Sequence, residues 1–217
     1  MIEQNVRRIL SQLSVGVKLV AAAKTRTTEE TLEAIAAGVE IIGHNYIQEA
    51  ERAHQIIGGR ARWHFIGHLQ KNKVKKAAVL FDMIETVDSL EMAREIDTRC
   101  ARIGKVMPVL IEVNSGRETR KNGVLPDEVE GLVRQVSALN HIKVEGLMTM
   151  GSLVPHPEDS RPYFSATHRL FEEIKGLNLP NVDMRYLSMG MSDSYKIALE
   201  EGANIVRLGS LIFGPRA

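Results

Sequence analysis

Residues 17–38, VKLVAAAKTRTTEETLEAIAAG, contain the unit whose repetition decides the fold. The first seven residues form a short apolar run, which predicts a buried strand. Thr27 or Thr28 can cap the helix that follows, because a hydroxyl at this position accepts a hydrogen bond from the first helical turn. Gly38 is suited to end that helix. The stretch therefore predicts one strand–turn–helix unit.

The same alternation continues along the chain. Further strands are predicted at residues 40–42, 62–66, 82–87, 106–113, 143–147, 183–187 and 204–208. Helices are predicted near residues 46–57 and 71–79, up to about residue 102, from Pro126 onward, and near residues 162–175 and 192–201. The polar stretch 151–160, GSLVPHPEDS, is predicted to be the loop after the sixth strand.

Strands that alternate with helices form right-handed βαβ units and a parallel sheet. Eight such units close a (β/α)8 barrel, with a doubly wound open sheet as the competing architecture. Residues 1–14 add a helix before the first strand, because their apolar positions follow helical spacing. We therefore predict a single α/β domain over residues 1–217, a TIM barrel with an extra N-terminal helix.

Composition excludes several classes of protein. The 217 residues include 28 Lys and Arg against 27 Asp and Glu, and this balance predicts neither a nucleic-acid nor a membrane partner. No apolar stretch approaches the ~20 residues of a membrane span, and the N-terminus lacks the unbroken apolar segment of a signal peptide. The one cysteine excludes an internal disulfide, and the seven histidines lack metal-ligand spacing. We expect a cytoplasmic protein without a metal.

Chemically capable residues follow the predicted strand ends. They are Lys24, Gly43-His44-Asn45, Gly67-His68, Asn114, Met148, Ser188-Met189-Gly190 and Arg207-Leu208-Gly209-Ser210. In a parallel barrel these ends meet on one face, where barrel enzymes have their active sites. Trp63, Phe65 and Met150 are expected in the core, and the basic run 71–76 on a solvated helix face.

Lys24 directly follows an apolar strand, so its stem lies among apolar atoms. Such surroundings favour the neutral amine, which condenses with aldehydes and ketones. The alternative is a strand-end lysine that reaches solvent.

The segments 188–192 and 209–210 combine glycine with serine after the last two predicted strands. Small residues let backbone N–H groups approach an anion, and barrels often bind phosphate at this position. Ser192 is also expected to open a helix, whose N-terminus favours phosphate. Ordinary glycine turns, with Ser192 as a helix cap, are the alternative.

Arg207 lies inside an apolar strand, and a buried guanidinium needs partners. It forms either an ion pair with a carboxylate of a neighbouring strand or a hydrogen bond to a ligand ring nitrogen. His64, on the third strand, is either a hydrogen-bonded core residue or a ligand contact.

Several motifs together resemble one family. They are VAAAKT at 20–25, GHNYIQEA at 43–50, WHFIGHLQKNKVK at 63–75, Asn114 with Glu118, Lys121 and Gly123, GLMTM at 146–150, LSMGMS at 187–192, and VRLGSLIFGPR at 206–216. The chain resembles the pyridoxal 5′-phosphate homeostasis protein family, also called the proline-synthetase co-transcribed family. The resemblance implies the fold type III barrel of pyridoxal-phosphate proteins, similar to the N-terminal barrel of alanine racemase.

The resemblance also implies roles for individual residues. Lys24 would carry the cofactor as a Schiff base, and Arg207 would lie at the pyridine nitrogen. The other implied contacts are Ser192, Gly209 and Ser210 with the 188–192 backbone, including Met191, for the phosphate, and Asn45, His64, Met148 and Ser188 for the ring. His44 and Ser194 depart from the family pattern, in which carboxylates near the pocket rim are common at these positions.

The implied function is that of a monomeric pyridoxal 5′-phosphate carrier. It would hold the cofactor on Lys24, serve vitamin B6 and amino-acid homeostasis, and pass cofactor to apo-enzymes without strong catalytic turnover. An arginine at the ring nitrogen leaves that nitrogen unprotonated and the ring a poorer electron sink.

Two enzymatic readings compete with the carrier. A fold type III amino-acid racemase would need an acid/base opposite Lys24, from Tyr46, His44 or His68. A Schiff-base aldolase would bind a sugar phosphate without cofactor.

Overall fold

A computed structural model describes residues 1–152 and 154–215. Its strands are β1 Lys18–Ala22, β2 Ile41–His44, β3 Arg62–Phe65, β4 Met83–Val87, β5 Met107–Glu112, β6 Ile142–Met148, β7 Val182–Ser188 and β8 Ile205–Leu208. Its α-helices are α1 Ile2–Gln12, α2 Thr28–Ala36, α3 Ile47–Ile57, α4 Val74–Leu80, α5 Leu90–Ala101, α6 Pro126–Val136, α7 Arg161–Lys175, α8 Tyr195–Glu200 and α9 Ser210–Phe213. Short 3-10 turns are formed by Gly58–Arg60, Lys71–Lys73 and Pro157–Ser160.

The strands form a closed parallel barrel in chain order, in which β1 pairs with both β2 and β8. This confirms the predicted (β/α)8 barrel and rejects the open sheet. The predicted N-terminal helix is present as α1, whose buried face contains Ile2, Val6 and Ile9. Asn5 joins α1 to α9 through a hydrogen bond from Nδ2 to the carbonyl oxygen of Ile212, at 3.1 Å.

The helices α2 and α6 begin or end at the residues that the sequence indicated. Thr27 caps α2 in a capping box, because its hydroxyl accepts from the Glu30 N–H while the Glu30 carboxylate accepts from the Thr27 N–H. Gly38 follows α2 with a φ of 114°, a conformation that favours glycine. Pro126 begins α6 at the first helical position, where its missing N–H costs no hydrogen bond.

Some boundaries differ from the sequence predictions. The helix expected from residue 71 begins with a 3-10 turn, and α4 proper starts at Val74. The helix expected to open at Ser192 starts three residues later as α8, because residues 192–194 form a turn. Gly209-Ser210 is followed by the short helix α9, which the sequence did not indicate. In the 151–160 loop, Leu153 lies outside the described residues.

Alternation along the strands separates two apolar layers. The barrel interior contains a small cluster of Val20, Ile41, Ile66, Met83, Leu110, Met148 and Ile205. A larger cluster fills the space between barrel and helices and includes Trp63, Phe65 and Phe81. Because successive strand residues point to opposite faces, a strand position decides whether a polar side chain enters the barrel or the helix layer.

The described helices are all too short or too polar to span a bilayer.

Candidate cofactor site

The carboxyl ends of the strands surround a cavity of about 460 Å³ at one end of the barrel. Its lining comes mainly from the residues after β3, β5, β6 and β7, and includes Asn114, Lys121 and Thr149. Of the predicted site residues, Asn45 and Met191 line this cavity. The remaining predicted residues lie on, or directly after, β1, β3 and β6–β8. The predicted convergence of strand ends is therefore observed, although the open volume is displaced toward β5 and β6.

A chain of polar side chains crosses the barrel interior below this mouth. We call His64, Glu85, Ser188 and Arg207 the inner polar chain. His64 Nδ1 lies 2.6 Å from Glu85 Oε1, and Ser188 Oγ lies 2.7 Å from Glu85 Oε2. Arg207 Nη1 donates to Ser188 Oγ at 2.6 Å. All four residues are buried.

Arg207 Nη2 connects the inner polar chain to the cavity. It donates to the carbonyl oxygen of Thr149 at 2.9 Å and contacts Met150 Sδ at 3.4 Å, and both of these residues line the cavity. The sequence left a direct ion pair with a neighbouring strand as one reading of Arg207. The structure replaces it with an indirect arrangement, in which Ser188 stands between the guanidinium and the Glu85 carboxylate.

Glu85 was not singled out from the sequence. Burial opposes ionisation of its carboxyl group, but the hydrogen bond and charge of His64, the charge of Arg207 and the hydrogen bond from Ser188 outweigh burial and lower its pKa. The available signal was an acidic residue inside the apolar run 82–87, the counterpart of Arg207 in its own strand.

Lys24 is half-buried in the turn that directly follows β1. Pairing with β2 extends to the residue before it, since the Ala23 N–H donates to the Gly43 carbonyl oxygen at 2.9 Å. The next residue, Thr25, has a φ of 63° and donates its N–H to Glu49 Oε2. Lys24 thus occupies the predicted strand-end position after β1, the strand whose Val20 pairs with Arg207 of β8.

The loops after β7 and β8 lie against each other. Ser192 Oγ accepts hydrogen bonds from the N–H groups of Gly209 and Leu211, each at 3.4 Å. Ser210 is exposed at the start of α9. Glycine is required at position 190, where φ is 88° and a Cβ atom would lie 2.6 Å from the Ala198 side chain. The structure therefore brings together the two serine-glycine segments that the sequence indicated.

The other predicted ring contacts occupy two kinds of position. Met148 and Ser188 are fully buried inside the barrel, at the paired ends of β6 and β7. Asn45 lines the cavity, and its Oδ1 atom is buried without a hydrogen-bond partner among the described residues. Met191 lines the cavity where its N–H donates to Ser194 Oγ.

Glu112, at the end of β5, is a second interior carboxyl group that the sequence analysis missed. It is buried and lines the cavity. Burial, with a smaller contribution from the charge of Asp88, raises its pKa to about 7, although Arg207 acts in the opposite direction. Its signal was a carboxylate within the most apolar predicted strand.

The two departures from the family pattern lie in different places. Ser194 lines the cavity, as expected for a rim position. His44 does not: it is buried and stacks on Trp63 outside the barrel, with ring centroids 5.6 Å apart. Of the three acid/base candidates, only His68 lines the cavity, since Tyr46 is exposed at the start of α3.

Two further expectations about surrounding residues have different outcomes. Trp63 and Phe65 are core residues as predicted, whereas Met150 is 36% exposed at the cavity, so its core assignment is wrong. In the basic run 71–76, Lys71 and Lys76 form exposed ion pairs with Glu91 and Glu51, as a solvated surface would.

Comparison with known proteins identifies the family. The family model for the N-terminal domain of alanine racemase matches residues 1–217. The pyridoxal phosphate homeostasis protein of Aquifex aeolicus is 40% identical over 92% of this chain and 87% of its own length. That of Schizosaccharomyces pombe is 37% identical over 97% of this chain and 90% of its own. The chain belongs to the pyridoxal phosphate homeostasis protein family.

Solved structures agree with this membership. PipY of Synechococcus elongatus PCC7942, in a structure with pyridoxal phosphate (PLP) bound, has a TM-score of 0.91 and 29% identity, covering 99% of this chain and all of that one. Alanine racemase of Clostridium difficile 630 has a TM-score of 0.82 at 16% identity, and this chain covers 56% of it. At that identity the racemase shows only that the pyridoxal phosphate homeostasis protein family shares its barrel fold.

Proposed function

We propose that this chain binds pyridoxal 5′-phosphate covalently through Lys24 and keeps it in reserve as a carrier. One observation carries the proposal: the neighbouring strands β7, β8 and β1 each contribute one of the required groups. The Ser192 loop follows β7, Arg207 lies on β8, and Lys24 follows β1. The PLP-bound relative PipY, similar over the whole chain, supports the same ligand.

The residues present fit this cofactor chemically. A guanidinium donates to a pyridine nitrogen and does not deprotonate, which suits the buried Arg207. Hydroxyl and backbone N–H groups of Ser192, Gly209 and Ser210 form a donor set for a phosphate. Asn45 Oδ1 is an acceptor without a partner among the described residues, available to a ligand hydroxyl.

The chemistry follows from these groups. When bound, pyridoxal phosphate supplies an aldehyde that forms a covalent bond with a primary amine, with loss of water. Lys24 provides the amine, and the loops after β7 and β8 hold the anionic end. Met148 and Ser188 limit the depth to which a ring enters, because both are fully buried between strands.

We further propose that the protein has no strong turnover of amino acids. Arg207 keeps its protons, so a ring nitrogen beside it stays unprotonated and the ring is a weak electron sink. The relatives are named as homeostasis proteins, which supports this role. We propose that it acts as a monomer in the cytoplasm and that PLP-dependent apo-enzymes receive the cofactor.

Covalent trapping tests the binding site. Purified protein is incubated with pyridoxal 5′-phosphate, reduced with borohydride and digested for mass spectrometry. We expect the cofactor mass on the Lys24 peptide and its loss in Lys24→Ala. Lys18→Ala is the matched control, because Lys18 begins the same strand at the opposite end of the barrel. Labelling that persists in Lys24→Ala would reject the assignment.

Exchange at the α-carbon tests the absence of turnover. Loaded protein is mixed with amino acids in deuterated water, and both deuterium incorporation and inversion are followed by NMR and chiral chromatography. We expect neither above the rate of free pyridoxal phosphate. Rapid inversion would make the protein a racemase and overturn the carrier function.

A further inference from the structure

Glu85 is the shared acceptor of the inner polar chain. Its two carboxylate oxygens bond two different residues, His64 through Oε1 and Ser188 through Oε2. The side chain of Glu85 is fully buried, so no water competes for these bonds. One residue on β4 therefore contacts side chains from β3 and β7 at the same time.

The chemistry of the end groups fixes the direction of every bond. An ionised carboxylate only accepts hydrogen bonds, and a guanidinium only donates them. Ser188 lies between Glu85 and Arg207, so its single proton points to Glu85 and its lone pair accepts from Arg207 Nη1. By the same argument His64 Nδ1 carries a proton, and a neutral His64 has an unprotonated Nε2.

We propose that Glu85 is a positioning residue, which fixes the proton of His64 on Nδ1 and, through Ser188, the orientation of the Arg207 guanidinium. The consequence for the ligand rests on the proposed function, because His64 and Arg207 are then the groups presented to the cofactor ring. The Thr149 carbonyl oxygen accepts the second Arg207 bond, so the guanidinium is held from two sides.

The buried charges are consistent with this role. The three other members of the inner polar chain together lower the pKa of the Glu85 carboxyl in spite of its burial, which keeps it an acceptor. The negative charge of Glu85 compensates Arg207 across the intervening hydroxyl. The other carboxylate whose charge acts on the buried guanidinium is Glu112, with a smaller contribution and with a pKa that is itself raised to about 7.

The first test needs no cofactor. Nitrogen chemical shifts of 15N-labelled His64 are measured at a pH where the imidazole is neutral. We expect the wild-type proton on Nδ1. In Glu85→Gln the carboxamide has one oxygen and one NH2 group, so it can no longer accept from both neighbours. Ser188 still accepts from Arg207, so its hydroxyl proton needs the carboxamide oxygen, and the NH2 group then faces His64 Nδ1. We therefore expect the His64 proton to move to Nε2 in this variant.

A matched variant separates this effect from simple loss of a buried charge. Glu145→Gln removes another buried carboxylate from a barrel strand, one that pairs with Lys143 rather than with the inner polar chain. We expect His64 shifts in this variant to equal those of wild type. A proton on Nε2 in wild type, or on Nδ1 in Glu85→Gln, would overturn the proposal.

The second test uses pyridoxal 5′-phosphate. We expect Glu85→Gln to raise the Kd for the cofactor about tenfold and to change its absorption spectrum, because a charge-assisted network is lost. Ser188→Ala should change the spectrum in the same way but leave the His64 proton on Nδ1, since it interrupts only the branch to Arg207. Unchanged cofactor spectra and affinity in both variants would overturn the branch to Arg207.

The His64 chemical shifts and the cofactor measurements test two different proposals, the role of Glu85 and the proposed function. Wild-type protein that takes up no cofactor would reject the proposed function, while the His64 shifts would still decide the role of Glu85. If Glu85→Gln fails to fold, the wild-type shifts and Ser188→Ala still decide it.

Discussion

His44 and His64 lie on neighbouring strands and are almost equally buried, at 3% and 4% exposure, but their surroundings are opposite. His64 points into the barrel and bonds Glu85. His44 points into the helix layer, where it stacks on Trp63 and neither ring nitrogen has a partner among the described residues. Burial lowers the pKa of His44 to about 4.

The difference shows that burial alone does not indicate function. A polar group inside the barrel belongs to a network in which each charge has a counter-charge, whereas the same residue type one layer outward is a cost to the fold. Since strand register pairs Gly43 with His64, a shift of one position would exchange the two environments.

Breaking the inner polar chain should have the largest effect on the free energy of unfolding. We expect Arg207→Met to lower the free energy of unfolding by about 4 kcal/mol, because the buried Glu85 carboxylate then loses the positive charge of the guanidinium. Urea denaturation at neutral pH measures this. Arg185→Met is the control, since Arg185 forms an exposed pair with Asp183 and should leave stability almost unchanged. Equal effects of the two variants would show that burial of Arg207 has no special energetic role.

Replacing His44, whose ring nitrogens have no partner among the described residues, should reduce a loss of stability at acidic pH. The folded-state pKa of His44, about 4, lies below the ordinary histidine value of 6.5. Its contribution to stability is therefore complete above pH 6.5 and is lost as pH falls toward 4, about 3 kcal/mol in total. We expect His44→Phe, which keeps the stacking on Trp63, to remove this acid sensitivity.

The measurement is urea denaturation at a series of pH values. His54→Phe is the control, because His54 also contacts Trp63 but is only half-buried. An acid-dependent loss of stability in His44→Phe as steep as in wild type would assign the effect to another group.

Glu112 sharpens the comparison with an interior carboxyl group that lines the cavity instead of belonging to the inner polar chain. Its folded-state pKa of about 7 lies above the ordinary glutamate value of 4.5. Its contribution is present below pH 4.5 and lost as pH rises through 7, about 2 kcal/mol after allowance for water in the cavity. We expect Glu112→Gln to remove this loss between pH 4.5 and 7, so that the opposite contribution of His44 in the same pH range is no longer offset. An unchanged dependence of stability on pH in this range would contradict the assignment.

The sequence predicted the barrel well because its signals are local. The capping box at Thr27, the glycine after α2 and Pro126 each act within a few residues. The same is true of Lys24 and the two serine-glycine segments, which only require the strand ends to be located. The roles of the predicted site residues as cofactor contacts stay predictions.

The inner polar chain could not be predicted because it depends on tertiary register. Glu85 meets Ser188 over a separation of 103 residues, and the pairing of β4 with β5 is irregular between Ile84 and Val87. Whether a strand residue faces the barrel or the helices changes with such an irregularity. The sequence also placed His44 at the pocket rim and Met150 in the core, because the side chain direction of a strand-end or loop residue depends on tertiary packing.

The hydroxyl of Ser192 holds the N–H groups of Gly209 and Leu211 through two long bonds of 3.4 Å. Backbone bonds already join the two strand ends, such as the one from the Arg207 N–H to the Gly190 carbonyl oxygen at 3.1 Å. The weak bonds to Ser192 join only the loops beyond this point. Amide hydrogen exchange at positions 209 and 211 should accordingly follow rotation of the Ser192 side chain, which carries the acceptor oxygen away, independently of global unfolding. These two amides report how often the pair of loops separates.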